Sequence, residues 1–270
     1  MHNSGKTCLI SAMLRVASLL DLYTPRPEDS VMLDTLGKIF YTDSSTPAVV
    51  LPAFLEDRIY YFPISLNEWK DIKKRNHRLS IVFIPGDIFE IFGNLLEGKP
   101  LKEYQTRLFN QLKSYLESRD NPKYHFFLLD SKPPNEIYQM RYRYDKVLYY
   151  LREKKIFNRG TLGISLIVTK CDQLSPNKEE WAHKAMEFVS QNYGGVATEL
   201  KRIVGDPHDG GLGLSDGSIP VIPFSIGEVF FQQLCLFDPE SSENFVRMLM
   251  KISPDYYSSW NNGFLRRFRG

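Results

Sequence analysis

Strand-length apolar runs alternate with stretches of helical spacing through most of this sequence, and that alternation limits the fold more than any other feature. Runs rich in Ile, Val, Phe and Tyr recur at Arg58–Ile64, Leu79–Ile84, Tyr124–Leu129, Leu162–Thr169 and Ile219–Phe224 and predict five strands. Helical spacing occupies Gly5–Leu20, Leu101–Glu117, Asn135–Lys155, Lys178–Gln191 and Glu240–Ile252. Ser175-Pro176 and Asp238-Pro239 supply start signals before the last two. From Leu79 onward strand and helix take turns, which predicts parallel strands joined by crossover helices in a doubly wound α/β domain. Asp21–Asp57, with Pro25, Pro27, Pro47 and Pro52, and Gly205–Ser218, with five glycines, read as exposed loops. Gly211, Gly213 and Gly217 follow a helical stretch with the wrong spacing for a dinucleotide fingerprint.

A chain of 270 residues with 43% hydrophobic content can bury one large core, so one domain with insertions is expected. Residues 1–252 form that domain, with a long loop at 21–57, and 253–270 form a tail. The 34 basic and 32 acidic side chains leave a formal charge of +2, too little for a global field that recruits nucleic acid or an anionic membrane. Cys8, Cys171 and Cys235 lack metal-ligand spacing and read as reduced thiols of a cytoplasmic protein. The five scattered histidines argue against a zinc site. No apolar stretch approaches the roughly 20 residues of a membrane span.

Ser4-Gly5-Lys6-Thr7, running at once into the helical pattern from Cys8 to Leu14, reads as the end of a phosphate loop flanked by Asn3 and Cys8. In such a loop backbone N–H groups face the phosphates and Gly5 permits close approach. Lys6 spans the terminal phosphates, the Thr7 hydroxyl ligates Mg²⁺, and the helix N-terminus adds positive potential. A capped N-terminal helix is the competing reading. The full pattern needs a glycine five residues before Gly5, after a strand, so the first strand and part of the loop are expected upstream of Met1. A loop without that mount is expected to bind nucleotide weakly.

Ile164–Val168 leads into Thr169-Lys170-Cys171-Asp172, a buried strand ending in a polar tetrad. At the carboxyl end of a parallel strand, Asp172 can accept two hydrogen bonds from the N1–H and N2–H₂ edge of guanine while the Lys170 stem lies along the base. Adenine offers no such donor pair, and a site needing both bonds rejects the wrong base by roughly 10⁴ to 10⁵. Solvated strand-end side chains are the alternative. Ser225-Ile226-Gly227, after the last predicted strand, fits either a backbone contact to the guanine carbonyl or an ordinary turn.

In that order the motifs resemble those of the translation-factor-related (TRAFAC) class of P-loop GTPases. Ser4-Gly5-Lys6-Thr7 is similar to the end of the phosphate loop, Thr169-Lys170-Cys171-Asp172 to the guanine motif in its threonine-first form, and Ser225-Ile226-Gly227 to the final base-contacting turn. Ile84-Pro85-Gly86-Asp87 is similar to the motif whose glycine N–H meets the γ-phosphate, and its Pro-Gly-acid sequence resembles bacterial double GTPases. The resemblance runs from Met1 to about Ile252. It implies a three-layer P-loop fold, a mostly parallel sheet with helices on both faces and its first strand missing. It further implies GTP or GDP with Mg²⁺, slow GTP hydrolysis in a switch cycle, and a protein partner or second GTPase-like domain.

Three positions depart from the pattern. Phe83 stands where an aspartate three residues before Gly86 contacts Mg²⁺ through water; Asp130, on the neighbouring strand, either approaches the metal region or caps the next helix. Among candidates for the switch threonine over the γ-phosphate, Thr46 leads Thr35 and Thr42. No glutamine follows Gly86, so Asp87 either orients water or caps a helix. A scaffold that has lost nucleotide chemistry, and an ATPase, are the rival functions. The tyrosine–arginine run Tyr138–Tyr144 fits a helix rim better than a nucleic-acid surface. The tail from Trp260, with Arg266, Arg267 and Arg269, fits a last helical turn packing on the body better than a membrane anchor.

Overall fold

The computed structural model describes residues 5–20, 48–49, 59–70, 76–84, 86, 88–118, 123–131, 134–154, 161–205, 219–230 and 234–252. The chain divides into two compact units, one made of Met1–Gly5, Ala53–Tyr60 and Ile84–Phe224, the other of Lys6–Pro52, Tyr61–Phe83 and Ser225–Gly270.

The first unit is built on a parallel sheet of β4 (Lys123–Asp130), β5 (Thr161–Thr169) and β6 (Val221–Phe224), in that spatial order. The central strand explains itself: Gly163 to Thr169 are all buried, as a strand covered on both faces requires, and the residues form an almost unbroken apolar run. Gly163 is opposite Tyr124 in the register, and a Cβ there would stand 2.2 Å from the Tyr124 ring. The ring takes the space a side chain would fill, and its hydroxyl meets Ser165 Oγ at 2.8 Å.

Two helices make the crossovers, α4 (Pro134–Glu153) between β4 and β5 and α5 (Trp181–Gly205) between β5 and β6. Ahead of them α2 (Ile88–Leu96) and α3 (Glu103–Glu117) complete the unit, with α2 packed on α4 and α4 on α5. Leu129, Leu148, Ile164, Leu166, Ile167 and Leu200 are fully enclosed. Tyr144 joins this core edge-on to Phe89 at 5.2 Å, and its hydroxyl donates to the Leu128 carbonyl, so its polar end is satisfied.

His125 of β4 meets Thr161 Oγ1 at 3.1 Å, and burial, followed by the nearby Lys123 charge, pushes its imidazole down from 6.5 to about 4. The unfolded chain takes up this proton near pH 6.5 and the folded one only near pH 4. The stability tied to neutral His125 is therefore complete above about pH 6.5 and lost as pH falls towards 4. Because the residue keeps part of its surface, the loss is at most about 3 kcal/mol. Denaturant unfolding at pH 7 and 4.5 should show it, and His125→Gln should flatten that slope; an unchanged slope contradicts the assignment.

In the second unit α1 (Lys6–Leu19) packs against α6 (Glu240–Ile252). The buried stripe of α1 includes Leu9, Ile10, Met13, Leu14, Val16 and Ala17. An antiparallel sheet places β8 (Leu234–Phe237) between β1 (Ala48–Val49) and β7 (Gly227–Phe230). Gly227 opens β7 at φ +108, where a Cβ would lie 2.0 Å from the Leu236 carbonyl oxygen, so only glycine fits. β2 (Tyr60–Lys70) and β3 (Asn76–Phe83) form a separate two-stranded sheet.

The α/β class and a parallel sheet therefore hold, with three differences from the sequence reading. β3 pairs with β2 rather than extending the parallel sheet. The helix expected to end at Gln191 breaks two residues later, where Tyr193 leaves helical geometry (φ −130, ψ 20) and its buried ring packs on Phe188 and Tyr144, but a second helical stretch that was not expected runs on to Gly205. The helix resumes through Gly194, whose carbonyl accepts from Thr198 Oγ1 at 2.7 Å. Finally, Lys178–Glu180 is a 3-10 turn that precedes α5. Most of 21–57, all of 206–218 and the tail 253–270 lie outside the described residues. Among the described residues no helix is long and apolar enough to cross a membrane.

Candidate functional site

The parallel register sets Asp130, Thr169 and Phe224 abreast at the carboxyl edge of the three strands. Ligands of open α/β sheets bind outside this edge. Here β5 passes into Lys170, the one described non-glycine residue with positive φ (φ 60, ψ 41). An L-residue in that region costs about 1–2 kcal/mol. The conformation reverses the chain into the 3-10 turn Cys171–Gln173, closed by Gln173 N–H to the Lys170 carbonyl and Leu174 N–H to the Cys171 carbonyl, both 2.9 Å.

Several bonds keep the turn in place. Ser131 Oγ donates to the Lys170 carbonyl at 2.9 Å, and Lys170 Nζ donates to Asp130 Oδ2 at 2.8 Å. Thr169 Oγ1 donates to the Leu129 carbonyl at 3.3 Å. The buried Cys171 thiol donates to the Val168 carbonyl at 3.2 Å, and burial pushes its pKa up to about 11, which makes it a packing residue rather than a nucleophile. Trp181 Nε1 donates to the Ser175 carbonyl at 2.8 Å and ties the end of the turn to α5. Asp172 stands half-buried within this turn.

Gly5 meets the same edge. Its backbone has φ +76, and a Cβ placed on it would lie 3.5 to 3.6 Å from Cβ, Cγ2 and Oγ1 of Thr169. The space would admit a methyl group; the backbone conformation is what favours glycine. The glycine of the first predicted motif thus lies against the threonine that opens the second, and α1 begins at the next residue. This approach falls within the first unit.

The other predicted residues are distributed as follows. Lys6, Thr7 and Cys8 are half-buried in the first turn of α1, in the second unit, where the Thr7 carbonyl accepts from Ser11 Oγ at 2.8 Å. Gly86, in the first unit, accepts the Phe89 N–H at 3.3 Å and so opens α2. Ser225 and Ile226 are in the second unit; Ser225 Oγ accepts the Gly227 N–H at 3.1 Å, and the Ile226 carbonyl accepts the Asp238 N–H at 2.9 Å. Asn3, Ser4, Thr46 and Asp87 lie outside the described residues. Asp130, for which an approach to the metal region and a helix cap were weighed, is 3% exposed and pairs with Lys170. The sequence signal for it was the polar pair Asp130-Ser131 closing an apolar run.

Among the described residues no three His, Cys, Asp or Glu side chains gather as a metal site. A hydroxyl such as Thr7 would hold Mg²⁺ only together with phosphate oxygens and water. Comparison with models of known protein families, with curated proteins and with solved structures gave no match.

Proposed function

We propose that this protein binds guanine nucleotides as a P-loop GTPase of the TRAFAC type and hydrolyses GTP slowly. The observation that carries the reading is the left-handed Gly5 lying against Thr169 at the carboxyl edge of the parallel sheet. A glycine opening a helix and a strand-end tetrad with lysine and aspartate would be unremarkable apart; their contact supports reading them as neighbouring parts of one nucleotide site. The three-layer fold with helices on both faces belongs to the same proposal.

In this reading the backbone from Asn3 to Cys8 faces the phosphates, with Lys6 supplying charge. Asp172 reads the N1–H and N2–H₂ edge, the Lys170 stem supports the base, and the backbone at Ser225 and Ile226 faces the guanine carbonyl. Mg²⁺ held on Thr7, with Thr46 over the γ-phosphate, would neutralise phosphate charge. Lys6 and the Gly86 N–H stabilise charge developing on the γ-phosphoryl oxygens, and Asp87 orients the attacking water.

Phe83, the last residue of β3, favours a second reading, a scaffold without hydrolysis, because it removes the usual carboxylate of the metal strand. Single-turnover hydrolysis of bound GTP with Mg²⁺ separates the two. Phosphate release on the order of 10⁻⁴ to 10⁻² per second is expected. Release no faster than without protein assigns the scaffold role.

A further inference from the structure

We infer that Asp130 and Ser131 form a two-point clamp that presets Lys170 as the ledge beneath the base of a bound guanine nucleotide. The inference rests on the function proposed above and assigns both as positioning residues. Asp130 is the last residue of β4 and stands opposite Thr169 in the register; Ser131 follows it, as Lys170 follows Thr169. Consecutive residues of one strand end thus grip both ends of one residue on its neighbour. Ser131 Oγ holds the Lys170 carbonyl at 2.9 Å, and Asp130 Oδ2 holds Lys170 Nζ at 2.8 Å.

The grip fixes more than a charge. Lys170 has a left-handed backbone, a conformation that lysine adopts only when its surroundings enforce it. Anchoring the carbonyl keeps that geometry, and anchoring the ammonium draws the methylene stem across the strand ends. Asp130's side chain is 4% exposed and Lys170's is 26% exposed, so the anchor is buried while part of the lysine stays open. Lysine stems readily cover flat apolar surface in this way. A stem fixed before binding loses little freedom when a purine settles on it, which lowers the cost of association. The clamp therefore acts on the face of the base, and Asp172 reads its edge.

The test uses the full chain and the dissociation rate of a fluorescent GDP. Asp130→Asn should speed release by about 10- to 100-fold, the scale on which outer partners of metal ligands act. Ser131→Ala should speed it by about fivefold, one neutral hydrogen bond's worth. The guanine-over-adenine preference should persist in both. Combining Asp130→Asn with Lys170→Met should release GDP no faster than the more affected single variant, because both remove one device. Lower thermal stability with unchanged GDP release, or effects that multiply in the double variant, overturns the clamp and leaves the guanine-nucleotide reading intact. If the unaltered chain binds no GDP, both fall together.

Discussion

Asp172→Asn should weaken GDP binding by about a hundredfold and strengthen binding of xanthosine diphosphate. The carboxylate has acceptors only, matching two adjacent donors of guanine. An asparagine keeps one acceptor and presents an N–H₂ in place of the other, which meets the guanine amino group donor to donor. A polar group left unmatched in a closed site costs about 1–3 kcal/mol, hence roughly a hundredfold. Xanthine has a carbonyl where guanine has its amino group, and the new amide can donate to it. Titrating both diphosphates against both proteins checks this; an unchanged preference removes Asp172 from the base site.

Lys6→Ala should weaken GTP and GDP binding, leave GMP binding nearly unchanged, and slow any hydrolysis by about 10²- to 10³-fold, as removal of a preorganised charge donor does. The distinction follows from reach. Lys6 is the first residue of α1 and is assigned to the terminal phosphates, which GMP lacks. The α1 core lies further along, at Leu9, Ala12, Met13, Val16 and Ala17, so truncating Lys6 leaves the packing against α6 in place. Equal losses for GMP and GTP would mean that Lys6 acts by holding the fold.

The elements most legible in the sequence are those whose own residues dictate their burial. β5 is an apolar run covered on both faces, and α6 follows Asp238-Pro239 and spans Glu240–Ile252, the predicted bounds. What depended on distant partners was not legible. Nothing local in Asn76–Phe83 says that it pairs with β2, and the short runs of β7 and β8 become strands by pairing with each other and, for β8, with β1. α2 carries Gly93 and has only nine residues, too short to announce itself beside its loop. α5 breaks at Tyr193, close to the predicted end at Gln191, but the helical stretch beyond the kink, which runs to Gly205, was not legible.

The same division runs through the candidate site. Thr169, Lys170 and Asp172 could be picked out because a polar tetrad ends an apolar strand. Lys170's bond to Asp130 joins residues forty positions apart, and only the parallel register of β4 on β5 brings them level. Gly5 likewise has no sequence reason to meet Thr169; that approach depends on the folded first unit.

Base discrimination tests the central claim most directly. With fluorescent GDP bound to the full chain in the presence of Mg²⁺, unlabelled GDP, GTP, ADP and ATP are titrated as competitors. A site that takes both hydrogen bonds from the guanine edge should favour the guanine nucleotides on the order of 10⁴-fold. Equal displacement by the adenine nucleotides, or no saturable binding of the probe, would contradict the assignment.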